Sequence, residues 1–124
     1  MSFKVNQQNN YTLIKFSTDK LDAIVAPDLK AELVMISKKG AKNILVDLES
    51  VRYCDSSGLS ALLIGHRLCN DNNGTFIISS LQPAVQKLIT ISQLNTILTI
   101  KDSIKDGSNT LFVDEIERNL GADQ

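Results

Sequence analysis

Two adjacent serines, Ser56 and Ser57, stand where the sequence predicts that a helix begins. They follow an apolar strand segment, residues 44–46, and a short loop, and Gly58 comes directly after them. The first N–H groups of a helix lack intrahelical partners and carry partial positive charge, so they can bind a phosphate. Ser57 is therefore suited to carry a phosphoryl group, with Gly58 letting that group approach the backbone closely. A structural role stays open at this point, because either serine could simply cap the helix.

Catalysis by a serine–histidine pair is not supported by the spacing. His66, the one histidine of the chain, lies nine residues after Ser57 on the same predicted helix. At 1.5 Å per residue this is about 13 Å along the helix axis, which is beyond hydrogen-bond reach. The motif also differs from the Gly-x-Ser-x-Gly elbow of hydrolases. Without a Gly-rich phosphate loop carrying a lysine or a cluster of metal ligands, we expect neither an enzyme nor a cofactor.

Phosphorylation of an aspartate is the second possibility, because Asp47 ends the strand at residues 44–46. Receiver proteins also need two acidic residues after their first strand to hold magnesium. Here the first hairpin ends in residues 16–19, Phe-Ser-Thr-Asp, with no adjacent acidic pair. We therefore interpret Asp47 as a solvated carboxylate at a strand end.

Composition limits the class of protein. The chain has 124 residues, 43% of them hydrophobic, which is enough for one compact domain and its core. Thirteen basic and 14 acidic side chains give a net charge of −1, so no basic stripe is expected to bind nucleic acid. No signal peptide and no apolar stretch of about 20 residues is present, and both cysteines, Cys54 and Cys69, fit small buried hydrophobes. We expect a cytoplasmic protein with a protein partner and no membrane insertion.

Hydrophobic periodicity predicts the elements that position the serines. Alternation over residues 3–7 and 11–16 indicates an N-terminal β-hairpin. Helices are predicted over residues 27–39 and 57–71, from residue 83 onward and over residues 103–120, with strands at 44–46, 76–78 and 97–100. This order predicts one α/β domain over residues 1–124, with a mixed, mostly parallel sheet and about four helices.

Two of the predicted helices have an ambiguous surface. The helix at residues 57–71 is apolar on nearly opposite faces, one of them with Leu59, Leu62, Leu63 and His66, the other with Ala61, Ile64, Gly65 and Leu68. Such a helix is either sandwiched between neighbours or keeps one face for a partner. In the last helix, Phe112, Ile116 and Leu120 could pack the tail on the body or serve a separate contact.

Three segments together resemble a known family. Residues 53–63, Tyr-Cys-Asp-Ser-Ser-Gly-Leu-Ser-Ala-Leu-Leu, are similar to the signature of the STAS domain, specifically of bacterial anti-sigma factor antagonists. Residues 21–29 resemble the family's loop and first helix, and residues 43–48 resemble its central strand. The resemblance covers about residues 3–105, and it departs from the family at Ser60, where a glycine is frequent.

The resemblance implies a partner switch. In this family an anti-sigma factor that is also a serine protein kinase phosphorylates the serine directly before the glycine, which is Ser57 here. The unphosphorylated antagonist binds the anti-sigma factor, the phosphorylated form releases it, and a PP2C-type phosphatase restores the first form. The partner-binding residues that follow from the resemblance are Asp22, Asp55, Ser56, Ser57, Gly58, Leu59 and Leu63.

Other readings of the chain stay open. Within the same family, the chain could be a subunit of a lipid-transport or stress-signalling assembly in which the serine is silent. A different class is a small-ligand or nucleotide-binding domain that uses the start of the Ser57 helix. Nothing in the sequence demands more than a monomer, and a homodimer is left open.

Overall fold

A computed structural model describes residues 2–122 of the chain. Its main sheet has five strands, β1 (Phe3–Gln7), β2 (Thr12–Phe16), β4 (Ile44–Asp47), β6 (Phe76–Ser79) and β7 (Thr99–Lys101), in that order across the sheet. β1 pairs antiparallel with β2, whereas the three other pairs are parallel. The predicted mixed sheet with an N-terminal hairpin is thus confirmed.

Four helices cover the two faces of this sheet: α1 (Ala26–Lys38), α2 (Ser56–Asp71), α3 (Pro83–Ile91) and α4 (Ile104–Ala122). Side chains alternate between the faces along each strand. On one face Val46 and Ile78 belong to the larger core, which also contains buried side chains of α1, α2 and α3. On the other face Leu45 and Ile77 pack with Leu111 of α4. α4 therefore lies on the opposite side of the sheet from α1 and α2.

The bounds of α1 follow from local chemistry. Pro27 occupies the first turn, where a missing N–H costs nothing, and Gly40 follows the last turn with a φ of 98°. The buried side chains Leu29, Leu33 and Ile36 fall on one helical face, as the periodicity predicted. α1 packs against α2, whose buried residues come from both of its apolar faces. The sandwiched interpretation of α2 is therefore confirmed.

Three short elements escaped the prediction. β3 (Lys20–Leu21) and β5 (Tyr53–Cys54) form a separate two-stranded parallel ladder, and a 3-10 helix spans Leu94–Thr96 between α3 and β7. Two residues are too few to show an alternating pattern, so a strand of this length is defined only by its partner. The β3–β5 ladder matters because it leads directly into the start of α2.

The interpretation of Asp47 as a solvated carboxylate is wrong. Asp47 is 0% exposed, and one carboxylate oxygen accepts a hydrogen bond from the Ser79 hydroxyl at 3.1 Å. Its other oxygen has no partner among residues 2–122. Asp47 and Ser79 are opposite each other in β4 and β6, on the face of the sheet that α4 covers. This burial depends on a helix that starts 57 residues later in the chain, which the local sequence of β4 does not reveal.

Candidate functional site

The start of α2 is capped by Asp55, one residue before the two serines. Its backbone is extended, and its Oδ1 accepts a hydrogen bond from the Gly58 N–H at 3.0 Å. The Leu59 N–H then donates to the Asp55 carbonyl at 3.0 Å. Ser56 and Ser57 are therefore the first two residues of the helix. The alternative that either serine serves as the cap is ruled out, because Asp55 fills that role.

Asp55 also connects the start of α2 to the loop before α1. Its second carboxylate oxygen accepts from the Ala23 N–H at 3.2 Å, and its own N–H donates to the Leu21 carbonyl at 3.3 Å. One side chain thus holds together backbone segments that are 32 residues apart in the chain. The position of Ser57 relative to residues 22–25 follows from these bonds.

Asp22 organises that loop from within. Its Oδ1 accepts from the N–H groups of Ile24 at 3.1 Å and Val25 at 3.2 Å, and its carbonyl accepts from the Ala26 N–H at 2.8 Å. These contacts turn the chain from β3 into α1. Asp22 and Asp55 are only half-buried, so both carboxylates bond the loop and remain partly exposed.

The Ser57 side chain itself is half-buried and finds no hydrogen-bond partner within residues 2–122. Ser56, its neighbour, is exposed. Because the helix cap does not depend on Ser57, modification of the hydroxyl would leave the cap in place. A phosphoryl group here would lie beside the N–H groups that open the helix, where anions are stabilised.

Gly58 has a packing role in the structure, and its role in letting a phosphoryl group approach stays a prediction. A Cβ on this residue would lie 2.3 Å from the Leu21 carbonyl oxygen and 2.7 Å from Cys54 Sγ. Leu59 is also buried and Leu63 is partly buried against the larger core. Of the seven residues expected to bind a partner, Gly58 and Leu59 are buried, and the other five are exposed or half-buried.

Two exposed apolar residues at the site were missed. Ile24 is 82% exposed in the loop that Asp22 folds, and Tyr53 is 53% exposed in β5, two residues before the cap. Large apolar side chains at an interface centre carry much of the binding energy. The sequence feature that could have identified Ile24 is its place in the turn at residues 22–25, where a polar residue is usual.

The thiol next to the cap is unreactive. Burial, with a smaller contribution from the nearby Asp55 carboxylate, raises the pKa of Cys54 to about 12. Burial likewise raises the pKa of Cys69 to about 12. Both thiols therefore stay protonated near neutral pH, and since both are buried, their interpretation as small hydrophobes is confirmed.

The geometry separates Ser57 from the one histidine. Both belong to the continuous helix α2, nine residues apart, so about 13 Å of helix axis lies between them. Within residues 2–122, no group of three or more His, Cys, Asp or Glu side chains could hold a metal ion. No helix in the same range is long and apolar enough to cross a membrane.

Removal of the Asp55 side chain tests its double role. Asp55→Ala is expected to lower the free energy of unfolding by about 1–3 kcal/mol, because the N–H groups of Gly58 and Ala23 lose their acceptor together. Asp55→Asn keeps one carbonyl acceptor and should lose less. We call the two bonds from the Asp55 carboxylate to the Gly58 and Ala23 N–H groups the Asp55 clamp. Urea denaturation of the three proteins measures their stability, and an Asp55→Ala protein as stable as the wild type would contradict the clamp.

Comparison with known proteins gives a consistent family. The STAS domain family model matches residues 2–107. An anti-sigma F factor antagonist of Paenibacillus polymyxa is 29% identical over 68 residues, which are 55% of this chain and 58% of that protein. An anti-sigma-B factor antagonist of Staphylococcus aureus is 24% identical over 102 residues, which are 82% of this chain and 94% of that protein.

A solved structure shows the same fold. The anti-sigma factor antagonist of Mycobacterium paratuberculosis superposes with a TM-score of 0.78 at 17% identity, covering 88% of this chain and 92% of the other. The family match stops at residue 107, within the first turn of α4, so most of that helix lies beyond it.

Proposed function

Because the chain belongs to the STAS domain family, we propose that it is an anti-sigma factor antagonist whose partner binding is controlled at Ser57. In this proposal the unphosphorylated protein binds a kinase-type anti-sigma factor in the cytoplasm. Phosphorylation of Ser57 by that kinase releases the partner, and a PP2C-type phosphatase reverses the change. The chain acts as the substrate of these enzymes and has no activity of its own.

The observation that carries the proposal is the unengaged Ser57 hydroxyl beside a cap that it does not supply. A serine that capped the helix would be held by its own hydrogen bond, and modification would break that bond. Here Asp55 caps the helix, so the hydroxyl of Ser57 is free to change without loss of the helix start. This arrangement supports a regulatory serine over a structural one.

The charges around Ser57 supply the reason for release. A phosphoryl group adds about −1.5 to −2 charges near neutral pH. Within the free protein, the start of α2 stabilises that charge. In a complex, the phosphoryl group would be buried in an interface that is formed around a neutral hydroxyl. The carboxylates of Asp22 and Asp55 would then lie on one side of it and the partner on the other. The repulsion by Asp22 and Asp55 is present in the free protein too, where water screens it; burial in the complex removes this screening and adds the cost of desolvation.

Exposed apolar residues give the complex its attraction. Ile24 and Tyr53 are exposed on the segments that the Asp55 clamp and the β3–β5 ladder hold next to α2. In the proposed interface they are the apolar anchors of the surface that also includes Ser56 and Ser57. Gly58 and Leu59 act indirectly, since both are buried and set the position of the helix start.

Intact-mass analysis tests the proposal. The purified protein is incubated with ATP and each kinase-like anti-sigma factor of its source organism. We expect one added phosphoryl group, mapped to Ser57, with Ser56→Ala still modified and Ser57→Ala unmodified. Absence of phosphorylation by every candidate, or modification of Ser57→Ala, would reject the regulatory role of Ser57.

A further inference from the structure

The second half of α4 carries apolar side chains on the side that faces solvent. Phe112, Val113, Ile116 and Leu120 are 58, 49, 42 and 60% exposed. At 100° per residue they lie within an arc of about 100° on the helix. We call these four residues the outer stripe. Of the two alternatives for Phe112, Ile116 and Leu120, packing of the tail on the body is not observed, because all three remain exposed.

The inner face of α4 is already committed to the body of the protein. Leu111 is fully buried against the sheet. Further along, Glu115 accepts a hydrogen bond from the Asn43 side chain at 3.1 Å, and Asp114 accepts from the Thr75 hydroxyl at 3.4 Å. A rotation that turned the outer stripe inward would break these contacts. The stripe is therefore held outward, and the body of the same chain does not cover it.

The outer stripe is nearly free of charge. Of the charged residues between positions 109 and 121, Asp114, Glu115 and Arg118 are all bonded on the inner side of the helix, where Arg118 also contacts Thr75. Glu117 alone is exposed. A charged partner would find only the Glu117 carboxylate next to the outer stripe, so the chemistry of the stripe favours an apolar partner.

The area of the outer stripe fits a second helix of the same kind. At typical side-chain areas, the four exposed fractions leave roughly 350 Å² of apolar surface, comparable to the largest patch on an ordinary monomer. A standard interface buries about 800 Å² on each partner, of which somewhat more than half is apolar. Four side chains of α4 thus supply most of the apolar area that one side of a stable dimer needs.

We propose that the outer stripe binds the outer stripe of a second copy of this chain, with the two α4 helices related by a two-fold axis. Such an interface needs a single self-complementary patch, and an apolar, nearly uncharged helix face provides one. α4 lies on the opposite side of the sheet from α1 and α2, so both Ser57 sites stay accessible in the dimer. Dimer formation is therefore independent of the state of Ser57.

Sedimentation velocity over a range of protein concentrations tests this dimer. The limited area leads us to expect a dissociation constant between about 1 and 100 µM. Ile116→Glu places like charges near the two-fold axis and should raise that constant at least about tenfold. Ile91→Glu changes an isoleucine of α3 that is 69% exposed and serves as the matched control, expected to dimerise like the wild type.

Several outcomes would overturn the dimer. A wild-type protein that stays monomeric at the highest concentration would do so, as would an Ile116→Glu protein that associates as strongly as the wild type. Loss of association in Ile91→Glu would place the interface elsewhere and equally reject the outer stripe. Circular dichroism verifies that each variant is folded. Ser57→Asp is expected to dimerise normally, so failure of the phosphorylation switch and failure of the dimer give different results.

Discussion

Replacement of Ser57 by aspartate is expected to weaken binding to the kinase-type anti-sigma factor by about a hundredfold, which corresponds to about 2.7 kcal/mol. The new carboxylate lies two residues after Asp55, in a half-buried position that the complex would desolvate. Phosphoserine carries more charge than aspartate, so the natural modification should have a larger effect. Calorimetry with the anti-sigma factor measures the change directly.

The control variants separate charge from shape and from position. Ser57→Ala removes the acceptor of the phosphoryl group and should bind whether or not the kinase has been supplied with ATP. Ser56→Asp adds the same charge on the neighbouring exposed residue, and we expect less than a tenfold loss. Equal affinities of Ser57→Asp and Ser57→Ala would contradict the switch, because both changes would then act only through lost packing.

The main elements could be predicted from the sequence because each contains enough residues to show its period. The helix predicted over residues 27–39 is observed as Ala26–Lys38, and that over residues 57–71 as Ser56–Asp71. By contrast, β3 and β5 consist of two residues each and exist through contact with each other. Burial of Asp47 likewise arises from packing between distant parts of the chain.

At the site, the sequence identified the position of Ser57 but not the roles of its neighbours. The sequence analysis considered only Ser56 and Ser57 as helix caps, whereas the backbone geometry shows that Asp55 is the cap. Its second contact, to Ala23, joins segments that no local pattern relates. A glycine after a serine is consistent with anion approach and with tight packing; the distances at Gly58 show the tight packing, which the sequence did not predict.

For the last helix, the sequence likewise predicted the element but not which of its faces is buried. Ile104, Gly107 and Leu111 follow a helical spacing, and so do Phe112, Ile116 and Leu120. Either set could have packed against the sheet. The first set does, and Gly107 fits because a Cβ there would lie 2.8 Å from a methyl group of Leu45. A pattern with two apolar stripes predicts a helix without telling which stripe is buried.

Introduction of a single methyl group at Gly58 is expected to destabilise the protein by about 2–3 kcal/mol or more. In Gly58→Ala the new Cβ would lie 2.3 Å from the Leu21 carbonyl oxygen and 2.8 Å from Leu21 Cγ. The oxygen cannot move freely, because Leu21 pairs with Cys54 in the β3–β5 ladder and accepts the Asp55 N–H. Either this ladder or the start of α2 must shift.

Gly121→Ala is the matched control, since nothing lies within 4 Å of a Cβ at that helical position. Alanine is favoured over glycine in helices, so this variant should be unchanged or slightly more stable. Thermal unfolding of both variants measures the difference, and a Gly58→Ala protein with a wild-type melting temperature would contradict the close packing. Addition of Cys54→Ala to Gly58→Ala should restore little stability, because the closest contact, to the Leu21 carbonyl oxygen, would remain.

Because Ser57 adjoins Gly58, the shift of the helix start in Gly58→Ala should also reduce phosphorylation of Ser57. The packing of one glycine is thereby linked to the proposed switch.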